Sequence, residues 1–345
     1  MDRIKKEPRN QTVDILRGIA MLLVVFGHTI AGSTENSQDS FLYNIIWALQ
    51  MPLFILISGY VTRYSPEINN GRKLLQFMGR RTMAYLLPWC AWSFLIRGLI
   101  FAQYNFWDLK DLLWHMDTGY WFLFTIWTIS MIYGLTEFAA SKISENNNIR
   151  KSIVFTGVFY VVGMAVLAGL GLIFGFSFLA IKLTLYYMPF YFAGYLYGKM
   201  QDSLLSWKNG KCFIDVCIAL CLAIWLFILS RFNLYSISDS GVGVIIRATA
   251  SLLGCIAICG MCGKISLAHK VGKVLYNAGI HSLEIYLIHY LVLNILKVSD
   301  KPEFASLQGI SLSLGNYFLT LILVAVIVFM LNQNRVLRLL LFGKK

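Results

Sequence analysis

Residues 13–31 read VDILRGIAMLLVVFGHTIA, a run in which only Asp14, Arg17 and His28 carry ionisable side chains. About 20 predominantly apolar residues is the length at which an α-helix crosses the hydrocarbon of a bilayer. Blocks of the same kind recur near residues 41–62, 82–104, 119–138, 152–170, 177–198, 212–232, 243–262, 278–297 and 314–334. The pattern predicts an all-α polytopic membrane protein, a bundle of about ten transmembrane helices. Residues 1–12 form a basic leader, 13–334 one transmembrane domain and 335–345 a basic tail.

Composition points the same way. Of 345 residues, 58% are hydrophobic and 14% charged, with mean hydropathy +0.65, whereas soluble domains carry about 25% charged residues. A disordered chain, a disulfide-stapled secreted domain and a water-soluble α/β enzyme are excluded. The net charge of +13 raises the question of nucleic acid, and its distribution answers it. Basic residues gather in the leader (Arg3, Lys5, Lys6, Arg9), in every second connector and in the tail, which together hold 22 of the 30 lysines and arginines. The connectors between claim only Lys110 and Lys301. Such alternation marks the cytoplasmic loops of a membrane protein. It predicts a multi-pass protein of the cytoplasmic (inner) membrane with both termini in the cytoplasm, and no nucleic-acid partner.

A cleaved signal peptide is the competing reading of the first block, which has a basic start and small residues after it. Arg17 and His28 do not suit a signal core, and nine more spans follow, so an uncleaved helix is expected. The seven cysteines all fall in apolar blocks. Cys259 and Cys262 form a C-x-x-C without a second pair or a suitably spaced histidine, so no metal site is expected. Gly194 and Gly198 read as a small-residue helix contact.

Ionisable groups inside such blocks carry the functional information, because a charge at the bilayer centre costs about 2.5–3.5 kcal/mol even on insertion scales. Arg17 and His28 lie eleven residues apart, about three helical turns, on one face and about 16 Å apart along the axis. Asp14 lies one turn below Arg17 and is placed to pair with it. A plainer reading has Arg17 reaching lipid phosphates and His28 bonded to backbone. In the ninth block, GIHSLEIYLIH (residues 279–289), Ser282, Tyr286 and His289 share one face and His281 and Glu284 another. A structural network between helices is the alternative there. The second block ends in MPLFILISGY (residues 51–60), where Pro52 is able to break a helix and Ser58-Gly59 permits close approach. The fourth opens on Tyr120, Trp121 and Phe122, after the amphipathic stretch DLKDLLWHMD (residues 108–117), and these aromatics also suit an interfacial belt.

Taken in order, these pieces resemble a known family. Arg17 and His28 within D-x-x-R-G…G-H are similar to the R-x10-H signature of the acyltransferase-3 family of integral membrane acyltransferases. FILISGY, preceded by Met51-Pro52, resembles the segment typical of its fucose 4-O-acetylase-like members. Arg80-Arg81 leading to Tyr85 and Pro88, Trp121-Phe122-Leu123, Phe192-Ala193-Gly194 and Ser282…Tyr286-Leu287-Ile288-His289 follow the family's order. The resemblance implies transfer of an acyl group, usually acetyl from acetyl-CoA, to a hydroxyl of a cell-surface sugar, a polysaccharide or its lipid-linked precursor. Phe54-Ile55 stands where the family has two phenylalanines, and the hydrolase-like extra domain of some members is missing from these residues.

On that reading Arg17, Arg80 and Arg81 are expected to hold the donor's phosphates, because a planar guanidinium binds phosphate bidentately and stays charged. His28 is the expected catalytic residue, either a general base for the acceptor hydroxyl or a transient acyl carrier. Asp14, Ser58, Trp121, Ser282, Tyr286 and His289 are expected to support these groups or the acceptor, with a helix-nine hydroxyl donating to the oxyanion. A transporter or flippase of a polar or glycan substrate is the alternative, since it too places ionisable groups mid-membrane. It should show two halves with corresponding interrupted helices, and no such duplication is visible. A membrane sensor or scaffold would leave the Arg17–His28 stripe unexplained.

Overall fold

A computed structural model describes residues 10–100, 113–116, 120–143, 149–207, 210–262, 265 and 267–344. The leader residues 1–9, most of the amphipathic stretch 108–117, the end of the third apolar block and Lys345 lie outside the described residues.

Among the described residues every apolar block falls on helix. We label these α1 (Gln11–Ser33), α2 (Phe41–Tyr60), α3 (Gly71–Arg81), α4 (Leu87–Cys90), α5 (Trp121–Ile143), α6 (Ile149–Phe174) and α7 (Ile181–Ser206). Then follow α8 (Gly210–Arg231), α9 (Gly241–Cys262), α10 (Lys270–Ile280), α11 (Ser282–Ile295), α12 (Leu307–Asn332) and α13 (Arg335–Phe342). Helix starts follow local chemistry. Asn10, Ser40, Asn70 and Asn334 each accept a backbone N–H of the first turn of α1, α2, α3 and α13, which satisfies an otherwise orphan donor.

Among the described residues seven helices are each long and apolar enough to cross a membrane, and an eighth span arises if α10 and α11 are one broken crossing. The ninth apolar block (278–297) is therefore not one straight helix: near its start, at His281, α10 gives way to α11 with an 82° bend. Pro52, by contrast, does not break α2, which runs unbroken from Phe41 to Tyr60. The sides of α6, α8 and α12 expose Val154, Val158, Val161, Leu220, Phe227, Phe318, Ile322 and Phe329. In water such a surface would drive association; in a bilayer it faces lipid.

The chain divides into two compact units, one of residues 1–64 with 197–329 and another of 65–196 with 330–345. In the first, α1 is the central rod, packed by α2, α10 and α11, while α8 and α9 pair and lean on α2. Helices in lipid gain little from apolar burial and associate through close packing instead. Gly18 and Gly279 supply this contact between α1 and α10, where a Cβ on Gly18 would fall 1.9 Å from the Leu275 carbonyl oxygen. Asn316 of α12 donates to the Ser33 hydroxyl of α1 at 3.0 Å.

In the second unit α5 packs on α3 and α6. α3 continues through wide π-helical turns at Thr82–Leu86 into α4 and then Ala91–Ile100. The tail folds as α13, with Leu341 and Phe342 buried, and Trp92 donates its indole N–H to the Leu341 carbonyl at 2.9 Å. Gly343 ends this helix in the left-handed conformation, φ 62°, which a glycine adopts without steric cost.

Candidate active site on helices α1 and α11

Because α1 is unbroken, the eleven-residue spacing keeps Arg17 and His28 three turns apart on nearly one face. At the lower end Asp14 is 1% exposed and accepts a bond from Arg17 Nη1 at 3.5 Å, while the Arg17 side chain is 27% exposed. The pair thus combines a buried carboxylate with a guanidinium that still reaches the surface. At the upper end His28 is exposed although its neighbours Gly27 and Thr29 are buried.

What hydropathy did not reveal is the partner of His28. The bend at His281 turns α11 away from the axis of α10, and both helices still pack on α1. As a result the His289 ring centroid stands 5.5 Å from that of His28, with the planes tilted by 40°. Tyr290 meets His28 edge-on at 6.1 Å, and Tyr286 lies 6.0 Å from His289. His289 is 2% exposed, and its Nδ1 lies 3.0 Å from the Ile285 carbonyl oxygen. A carbonyl only accepts, so Nδ1 carries the proton and Nε2 is left as a bare acceptor. That Nε2 has no partner among the described residues.

Other expected site residues have more local roles. Ser58 donates to the Phe54 carbonyl one turn back at 2.8 Å, which ties its proton to α2. Ser282 is the first residue of α11, beside His281, whose Nδ1–H donates to the buried Glu284 at 3.4 Å.

The second unit holds Arg80, Arg81 and Trp121. Adjacent in sequence, the two arginines diverge on the helix. Arg80 is exposed. Arg81 lies over Phe77 and Tyr85, at 5.1 and 5.9 Å from their ring centroids, and donates to the Tyr85 hydroxyl at 3.3 Å. Trp121 stacks on Tyr187 at 5.6 Å with 16° between the planes.

Sequence reasoning passed over two features of the first unit. Asn44 is buried and links three backbone groups of residues 229–234. Arg63 forks onto both carboxylate oxygens of Asp202 at 3.1 Å and lies over the rings of Tyr60 and Tyr64. The available signal was a polar asparagine inside the second apolar block for Asn44, and for Arg63 only a basic residue in the connector that follows.

A family model described as an acyltransferase domain matches residues 10–332. The nodulation protein NolL of Mesorhizobium japonicum is 27% identical over 217 residues, covering 59% of this chain and 50% of that protein. The nodulation protein NolL of Sinorhizobium fredii is 26% identical over 231 residues, covering 63% of this chain and 58% of its own length. The chain thus spans little more than half the length of these curated relatives. No solved structure matches the chain.

Proposed function

This chain belongs to the acyltransferase-3 family, and from that premise we propose that it is a membrane-embedded O-acetyltransferase acting on a sugar hydroxyl. The donor is cytosolic acetyl-CoA. The acceptor is a cell-surface sugar, a polysaccharide or its lipid-linked precursor. The protein crosses the cytoplasmic membrane about ten times with both termini inside, the arrangement that the alternation of basic connectors favours.

One observation carries the mechanism: His28 keeps accessible surface while ringed by protein, with His289 and Tyr290 at 5.5 and 6.1 Å, on the same helix face as the Arg17–Asp14 pair. Arg17 offers a permanently charged fork to the donor's phosphates, and the exposed Arg80 is proposed for the same chemistry on its own unit. Asp14 holds Arg17 in place. Three turns above, the unprotonated nitrogen of His28 takes the proton of the acceptor hydroxyl as its oxygen bonds to the thioester carbonyl carbon. The carbon–sulfur bond breaks, the coenzyme leaves as a thiolate, and His28 returns the proton to that sulfur. A hydroxyl from α11, Ser282 or Tyr286, donates to the oxyanion between these steps.

The test uses the full chain in nanodiscs with acetyl-CoA and extracted cell-envelope glycan. Thiol release and a glycan mass gain of one acetyl group are expected, and both should vanish in His28→Ala. Transport of glycan across vesicles without loss of the thioester would replace this reading with the flippase.

A further inference from the structure

The stripe on α1 accounts for His28 but not for the buried acceptor beside it. His289 is 2% exposed, its Nδ1–H is committed to Ile285, and its Nε2 lone pair has no partner among the described residues. A buried acceptor without a donor is costly, so such atoms are nearly always matched. Three rings surround it, those of His28, Tyr286 and Tyr290 with centroids at 5.5, 6.0 and 6.5 Å, and neither phenol hydroxyl is bonded to Nε2. Two imidazoles joined by one N–H···N bond of about 3 Å have centroids about 5 Å apart. The observed centroid separation of 5.5 Å is within a few tenths of an ångström of that value.

We propose that His289 is a positioning residue for His28: its bare Nε2 accepts the His28 ring N–H, which leaves the other His28 nitrogen unprotonated and turned toward the acceptor hydroxyl. The inference rests on His28 being the base, as argued above, and adds what selects its tautomer. The backbone sets the chain of consequence. The Ile285 carbonyl fixes the tautomer of His289, and His289 in turn fixes that of His28.

The bond also strengthens where it is needed. When His28 accepts the hydroxyl proton it becomes an imidazolium, and its bond to His289 becomes charge-assisted. An interaction stronger in the transition state than in the ground state raises kcat. His289 keeps its own proton throughout and adds no charge of its own to the apolar surroundings.

The chain has five histidines, so a protein labelled with ¹⁵N at histidine gives a tractable spectrum, assigned by comparison with His28→Ala and His289→Gln. The wild type should show His28 in one tautomer with a hydrogen-bonded N–H. His289→Leu should show it averaging between both. A His28 ring that averages in the wild type overturns the proposal, whether or not any variant folds. In steady-state assays with acetyl-CoA and extracted glycan, His289→Leu should lower kcat about 10- to 100-fold with KM for acetyl-CoA unchanged. His289→Gln, whose amide oxygen accepts the same bond, should recover most of that loss. Wild-type kcat in a folded His289→Leu protein would sink the positioning role alone, because His28→Ala would still be inactive. Activity in His28→Ala would instead remove the base on which both readings stand.

Discussion

Gly279 approaches Asp14 so closely that a Cβ on it would fall 1.7 Å from the Asp14 carbonyl oxygen. With Gly18 against Leu275, it brings α10 and α1 into backbone contact next to the Arg17–Asp14 pair. In lipid, where apolar burial gives little, such contact holds helices together. Gly279→Ala must push the helices apart, and overpacking of this kind costs about 1–3 kcal/mol. Thermal unfolding in detergent should show a lowered midpoint. Gly315→Ala on α12, where nothing lies within 4 Å, should leave it unchanged or raise it. Equal midpoints for the two variants would refute the crossing.

Arg17 and Asp14 should behave as a coupled pair. Only the carboxylate of this pair is buried, and removing Arg17 alone leaves it without that cation, which is more damaging than removing both. Arg17→Ala should therefore destabilise the protein by about 1–2 kcal/mol, and adding Asp14→Leu should restore part of it. Transfer should weaken in both, through a higher KM for acetyl-CoA. If donor affinity is unaltered in Arg17→Ala, the arginine serves the fold alone.

The helices were legible because hydropathy reports on lipid directly. The stripe on α1 was legible for a related reason: an unbroken helix converts the spacing of Asp14, Arg17 and His28 into geometry. Where the chain bends was not legible. Pro52 looked like a break and is not one, because the rest of α2 continues through it. The real break, at His281, contains no proline, and it arises where α10 and α11 both find a surface on α1. A face of His289 was predictable from its i, i+7 relation to Ser282, but the ring it meets depends on that bend. Trp121 illustrates the same limit, since its neighbour Tyr187 comes from the packing of a separate helix, whereas Arg81 over Phe77 is an i, i+4 pair of one helix.

The adjacent arginines of the second unit should separate in their effects. Arg80 is exposed, and a surface substitution away from packing changes stability by about 0.5 kcal/mol or less. Arg80→Ala should keep the unfolding midpoint and raise KM for acetyl-CoA about tenfold, the loss of one charged hydrogen bond. Arg81→Ala should lower the midpoint, because the guanidinium packs on Phe77 and Tyr85 as well as bonding the latter. Even Arg81→Lys should fail to restore it, since an ammonium lacks the planar fork and the stacking surface. Identical midpoints for Arg80→Ala and Arg81→Ala would show that the packing has no energetic weight.

Asn44 supplies the last test, at the opposite end of α2 from Ser58. Its Nδ2 donates to the carbonyls of Leu229 and Phe232 at 3.1 and 2.7 Å, and its Oδ1 accepts the N–H of Leu234 at 2.8 Å. The three partners close α8 and begin the segment leading to α9. They are backbone groups in and just past the last turn of a helix, where intrahelical partners run out. With Asn44 4% exposed, water does not readily replace it. Asn44→Ala should cost about 2 kcal/mol or more, as buried groups lose their partners. Asn44→Asp should lose more than one bond, because a carboxylate can accept from Leu234 but has nothing to donate to the two carbonyls. Limited proteolysis should then cut between residues 232 and 240 faster in both variants, while cleavage within α1 stays at the wild-type rate. Unchanged cleavage of that segment would mean that Asn44 does not hold it.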